Sequence, residues 1–156
     1  MKSENILFVY PKKFTFINTE IKLLNSIFNT IHLNQKWHVK SLIFFNFIIQ
    51  FFFILINIGR IDKVLISFAG YWSLLPALFG RFFNKKVAVI VHGTDCVNFP
   101  QINYGDLRKP IMKWFIKKSL ESADIILPVS QSLVYTENTY YQEENYLNKS
   151  DTEVEL

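Results

Sequence analysis

Glycine and proline are both scarce in this chain, five of each in 156 residues, and cysteine occurs once, at Cys96. So few turn formers exclude a loop-dominated chain and favour long regular elements. A single cysteine excludes an internal disulfide and fits a reducing, cytoplasmic setting. Cys96 itself reads as a small buried residue rather than a reactive thiol. Several signatures are missing as well. There is no Gly-x-Gly-x-x-Gly turn, no Walker lysine loop and no Gly-x-Ser-x-Gly elbow, which counts against NAD binding and ATP hydrolysis. His32, His38 and His92 stand at no metal-ligand spacing with Cys96, so neither a metal nor a cofactor is expected. No recognised nucleic-acid-binding motif occurs, and nucleic acid is not an expected partner. Only five apolar residues, Ile6 to Tyr10, precede Pro11-Lys12-Lys13, too few for the core of a secretory signal.

What is abundant is apolar. Half of the residues are hydrophobic, 16 of them phenylalanine, and 19% are charged, a composition that suits one domain with a real core. The net charge of +4 hides an asymmetry: beyond Thr136 lie six acids and one base, leaving sixteen bases against seven acids in the rest. That basic body points to anionic partners such as phosphates or a membrane surface, although solubility alone would also account for it.

Along the chain, apolar runs alternate with helical periodicity. Strands are expected at Ile6–Tyr10, within Thr30–Leu33, and at Val64–Phe68, Val87–Val91 and Ile125–Val129. Helices are expected over Phe14–Phe28, from a Ser73 cap to Phe83 with Pro76 in the first turn, over Leu107–Leu120, and over Gln131–Tyr141. The continuous aliphatic run Val87–Val91 suggests a strand covered on both faces. The pattern is that of an α/β domain with a doubly wound parallel sheet spanning residues 1–141, followed by a polar, acidic tail at 142–156.

Residues 41–59 stand apart: 19 residues without a charge, flanked by Lys36 and Lys40 before and Arg60 and Lys63 after. Length and hydropathy qualify the segment as a transmembrane candidate. Asn46, Gln50 and Asn57 nevertheless fall within about 40° of one another on a helical wheel. A narrow polar stripe of this kind suits a soluble or surface-lying helix with one wet edge, the favoured reading. A lipid-exposed helix would need the stripe hidden against a partner.

In a parallel sheet, ligands bind beyond the carboxyl ends of the strands. The loops leaving those ends are Pro11–Phe14, Ala69–Ser73 and His92–Asp95. The last sets an imidazole, a glycine, a hydroxyl and a carboxylate directly after a buried strand, so it reads either as a ligand loop or as a self-capped turn. Lys109, Lys113 and Lys117, four apart beside Trp114 and Phe115, read as a basic ridge for anionic headgroups or a diphosphate, or as an ordinary solvated helix face.

Taken in order, Lys86–Asp95, Ile102–Gly105, Arg108–Pro110 and Ser122–Ser130 resemble segments of bacterial family 4 ("group 1") glycosyltransferases. Ile6–Phe16 and Phe68–Gly80 are also similar, so the resemblance covers roughly Asn5 to Tyr141. It implies a Rossmann-like amino-terminal half of a GT-B fold. The complete enzyme would move a sugar, with retention, from a nucleotide-sugar donor to a glycan or lipid-linked acceptor in cell-envelope polysaccharide synthesis at the inner membrane surface. His92 would be the catalytic-site residue, near the donor's sugar and phosphates. Lys12, Lys13, Phe14, Thr15, Gly70, Tyr71, Gly93, Thr94 and Asp95 would face the donor or acceptor cleft. Two departures stand out: the first loop lacks glycines, and the donor-binding half, with its two glutamates seven residues apart, has no counterpart in these 156 residues. The chain alone is therefore expected to be inactive, and whether it is an enzyme by itself stays open. Two other readings stand beside this one: a small non-catalytic membrane-associated protein anchored by residues 41–59, and a binding partner for a separate carboxyl-terminal subunit.

Overall fold

The structure, a computed structural model, describes residues 4–133. Nine main elements alternate along it: β1 (Asn5–Tyr10), α1 (Thr15–Ile27), β2 (Asn29–Asn34), α2 (Ile43–Asn57), β3 (Lys63–Ser67), α3 (Leu74–Phe82), β4 (Lys86–Val91), α4 (Pro110–Glu121) and β5 (Ile125–Pro128). The strands form one sheet in the order β2-β1-β3-β4-β5, and every pairing is parallel. This is a Rossmann-like α/β sheet with flanking helices. From β1 the chain moves out to the edge strand β2, then crosses back to β3. The strand order therefore reverses between β1 and β3.

Side-chain alternation explains the two-sided burial. From β1, Leu7 and Val9 point to one face, where they pack with Ile54 of α2, Ile58 just after it, Ala77 of α3, and Met112 and Ile116 of α4. Phe8 and Tyr10 point to the other face and pack on Ile17 of α1. Three helices thus cover one face and α1 covers part of the other. Each fully buried Leu, Ile or Phe contributes about 1.5–3 kcal/mol, so the three-helix face holds most of the core. Beyond α1's reach the second face thins out. Ala88 and Ile90 of β4 are only half-buried, so that strand is not fully covered on both sides, and all four residues of β5 are exposed.

Several local expectations are corrected. Helix α4 starts at Pro110 rather than Leu107: Asp106–Arg108 is a single 3-10 turn, and Lys109 is extended (φ −91°, ψ 112°). The ring of Pro110 disfavours helical geometry in the residue before it while suiting the first helical position itself. Ser73 precedes α3 as expected but does not cap it. Its hydroxyl turns back, accepting from the Gly70 N–H (2.9 Å) and lying 2.7 Å from both Gly70 O and Ser119 Oγ. The expected helix at Gln131–Tyr141 begins with a 3-10 turn at Gln131–Leu133. Its remainder and the tail at 142–156 lie outside the described residues.

The largest correction concerns α2. Its polar stripe is not a wet edge: Asn46 and Gln50 are buried with Ile54 against the rest of the domain. Asn46 Nδ2 donates to Lys36 O (3.2 Å), Gln50 Nε2 to Trp72 O (2.8 Å), and Gln35 Nε2 to Asn46 O (2.9 Å). Each amide nitrogen thus donates to a backbone carbonyl, and leaving such a buried donor unmet would cost about 1–3 kcal/mol. The solvent side of the helix is instead made of phenylalanine, isoleucine and leucine.

Helix α3 approaches β4 closely at Gly80, where an added Cβ would fall inside the Val87 side chain. Alanine gains about 1 kcal/mol over glycine in a helix interior, but overpacking a core contact costs about 1–3 kcal/mol. Gly80→Val, which adds branching as well as bulk, should lower the free energy of unfolding by at least the upper part of that range in urea titration. A neutral result would mean that α3 is free to move away from the sheet.

Candidate functional site

Four loops meet where the strand order reverses, and between them lies a pocket of about 310 Å³. Pro11, Lys12 and Phe14 line it from the loop after β1, and Trp37 and His38 from the segment after β2. Phe68, Ala69, Tyr71 and Trp72 follow β3, Thr94 and Asp106 follow β4, and Met112 of α4 closes it. The crevice outside the carboxyl ends of the strands at a topological switch point is where open α/β sheets bind ligands. Its walls are mostly aromatic and apolar with a few polar groups at the edge, the usual make-up of a small-molecule site. A larger concavity of about 690 Å³ runs between Leu55 and Leu78–Phe83, near the amino-terminal end of β4, and belongs to a different surface.

The loop after β4 is built on one carboxylate. Asp95 is 1% exposed, and it accepts the backbone N–H groups of His92 (2.9 Å), Gly93 (3.0 Å) and Ala69 (2.9 Å). One side chain thereby ties the loop after β3 to the loop after β4. Gly93 takes φ 117°, which an L side chain rarely adopts. Its carbonyl accepts from the Cys96 N–H (3.0 Å), with Cys96 Sγ at 3.3 Å. Burial, reinforced by the Asp95 charge, pushes the Cys96 thiol up, so Cys96 is not a thiolate near neutral pH.

His92 stands one residue past β4, with its side chain 11% exposed. Its Nε2 lies 2.9 Å from Ser67 Oγ, and Ser67 Oγ lies 3.2 Å from Glu20 Oε2. A carboxylate only accepts, so the hydroxyl donates to Glu20 and the imidazole donates Nε2–H to Ser67. That assignment leaves Nδ1 as the acceptor. The imidazole stacks on Phe68 (centroids 3.9 Å apart, 18°), with Phe16 at 5.1 Å. Phe68 holds φ 63°, rare for a bulky residue and worth about 1–3 kcal/mol of strain. Trp72 Nε1 donates to Phe68 O (2.8 Å), which helps to hold that conformation. Burial depresses the His92 pKa, with the Asp95 charge opposing, and burial raises that of Glu20, with the Ser67 hydrogen bond opposing.

The structure brings together some of the sequence candidates and separates others. Lys12, Phe14, Tyr71 and Thr94 share the pocket, with the Lys12 ammonium 5.8 Å from the Phe14 ring centroid. His92, Gly93 and Asp95 form the adjoining loop and brace it from beneath. Gly70 serves the turn before α3 through its N–H. Thr15 opens α1, and Lys13 acts on another site, where its charge adds to burial in lowering the pKa of His32. The three lysines do not form one helical row. Lys109 precedes α4 and pairs with Asp106 (2.7 Å), while Lys117 is 3.9 Å from Glu121. Trp72 lies in the expected Ala69–Ser73 loop but was not singled out; Glu20, Ser67, Trp37 and His38 were missed, since no local pattern marks them and each reaches the site only through the fold. Among the described residues, no group of three or more His, Cys, Asp or Glu side chains could hold a metal. In comparisons with known proteins, no family model matches the chain and no curated protein gives a significant match.

Two measurements test this geometry. Asp95→Asn keeps size but replaces one accepting oxygen with a donor that faces buried N–H groups. It should destabilise the domain by about 1–3 kcal/mol in urea titration, and an unchanged midpoint would show that the loops are held otherwise. The His92 imidazole should titrate below the ordinary histidine value by proton NMR. Between the folded and unfolded pKa values the unfolded chain binds more protons. The His92 contribution is therefore fully present above the unfolded value and is lost as pH falls through that window. His92→Gln should flatten that part of the stability profile.

Proposed function

We propose that this domain is the acceptor-side, Rossmann-like half of a retaining GT-B glycosyltransferase acting in cell-envelope polysaccharide synthesis. The observation that carries the reading is the pocket at the switch point. Its walls are contributed by the same loops, with Lys12, Phe14, Tyr71 and Thr94, that bear the glycosyltransferase-like segments. The loop of His92 adjoins it. A pyranose ring has a face of C–H bonds and a rim of hydroxyls. Aromatic walls suit the first, and Lys12, His38, Thr94 and Asp106 suit the second.

In this reading the pocket seats the acceptor, a glycan or a lipid-linked sugar, with one hydroxyl directed toward His92. The nucleotide-sugar donor lies across the cleft, held mainly by a second domain. During transfer the bond from the anomeric carbon to the diphosphate breaks, a bond to the acceptor oxygen forms on the same face, and the acceptor hydroxyl's proton passes to the departing diphosphate. His92, kept neutral by burial, serves as a hydrogen-bonding residue at the sugar rather than as a fixed positive charge. Ser67 and Glu20 set its orientation.

Calorimetry on the 156-residue chain separates this reading from its rivals. Lipid-linked or oligosaccharide acceptors should bind, and nucleotide-sugars should bind weakly or not at all. Phe14→Ala should weaken acceptor binding about tenfold, equivalent to about 1.4 kcal/mol. Tight nucleotide-sugar binding with no acceptor binding would overturn the acceptor-side assignment.

A further inference from the structure

The solvent face of α2 is the least soluble-looking surface of the molecule. Eight of its fifteen residues are large apolar side chains that remain exposed, Ile56 at 78% among them, and the end of α3 continues the patch with Leu78, Phe82 (82%) and Phe83. At about 200 Å² per side chain the α2 residues alone present on the order of 800 Å², beyond the few hundred Å² usual for the largest patch of a monomer. The helix is amphipathic in the reverse sense. Its amides point into the domain and are hydrogen-bonded there, and its hydrocarbon points out.

We infer that this face seats in the headgroup and upper acyl region of an anionic bilayer, with α2 lying along the surface. Charge selects this occupant. The chain contains no acid between Glu20 and Asp62, a stretch that carries Lys22, Lys36, Lys40 and Arg60. Lys36 and Arg60 are exposed beyond the two ends of α2, and Arg81 is exposed beside Phe82. Helix α4 packs next to α2 through Phe47 and Phe115 (5.5 Å) and adds exposed Lys113 and Trp114 at the margin. Hydrocarbon ringed by cations, with an indole at its border, matches an anionic interface. A protein partner of this area would need about one hydrogen bond per 100–200 Å², and the exposed face of α2 offers no polar side chain to make them.

Lying along the surface is favoured over spanning, although Ile43–Arg60 is long and apolar enough to cross a membrane by length and composition. Ile54 and Ile58 belong to the core under the sheet, and Gln50 bonds the loop after β3. A span would strip out these contacts and leave Asn46 and Gln50 in lipid, whereas a surface helix keeps them all.

The inference does not depend on sugar transfer and is tested apart from it. The purified 156-residue chain is floated with vesicles of phosphatidylcholine alone and of phosphatidylcholine mixed with phosphatidylglycerol. It should bind both and favour the anionic vesicles by about tenfold at low salt, and alkaline carbonate should release it. The triple variant Phe45→Glu, Ile49→Glu, Phe52→Glu alters only exposed positions. It should keep the wild-type circular dichroism and melting temperature and lose at least tenfold in vesicle binding. Lys36→Gln with Arg60→Gln should remove much of the anionic preference and spare binding to phosphatidylcholine. Carbonate-resistant binding would overturn the surface-lying arrangement. Self-association without vesicle binding, or a triple variant that binds like wild type, would overturn the lipid assignment.

Discussion

A strand that leaves a parallel sheet carries backbone N–H groups out of the hydrogen-bonded ladder, and where its loop is packed rather than wet those groups must find another acceptor. In this domain two loops meet that requirement with a single residue. The buried Asp95 carboxylate takes up three N–H groups from the segments after β3 and β4. Its position fixes the start of the loop after β4, and with it the place of His92. It also holds Ala69, and so the approach to Tyr71 and Trp72 on the pocket wall. Three hydrogen bonds to this one carboxylate tie together the loops at the carboxyl end of the sheet. The apolar core sets where the strands lie; Asp95 sets how they end.

Helix α2 imposes a second, connected constraint. Gln50 donates to Trp72 O, Trp72 Nε1 donates to Phe68 O, and the Phe68 ring lies on the His92 ring. A short chain of contacts thus runs from the polar side of α2 to the imidazole. On the same helix Asn46 bonds Lys36 O, immediately before Trp37 and His38 in the pocket. The amides of α2 therefore brace two walls of the pocket from one element, and the outward side of that element is the apolar surface ringed by cations.

The alternation of β and α, all five strands and the helical nature of residues 43–57 were legible in the sequence, because buried parallel strands and amphipathic helices leave periodic apolar patterns. The orientation of α2 was not. Periodicity locates a polar stripe without saying whether it meets water or folded backbone, and the carbonyls of Lys36 and Trp72 come into reach only once the chain is folded. The start of α4 was legible in principle from Pro110, but the apolar Leu107 masked it. Of the site, Lys12, Phe14, Tyr71 and Thr94 could be read from their places after strands. Glu20 and Ser67 could not, since 47 residues separate them and neither carries a local motif. The half-covered state of β4 depends on how far α1 extends over the second face, which no local pattern encodes.

The stack of His92 on Phe68 also makes the site visible without a label. A ring whose neighbour lies 3.9 Å away and nearly parallel sits in the shielding cone of the aromatic current, so the His92 carbon-bound protons are displaced upfield. His38 is exposed, and His32 meets Phe8 and Tyr10 at steep angles with centroids 6.3 Å away. Three histidines thus occupy three magnetically different surroundings in one small domain. The displaced His92 resonance would report any ligand or loop movement that parts the two rings, and would do so in the loop that adjoins the pocket.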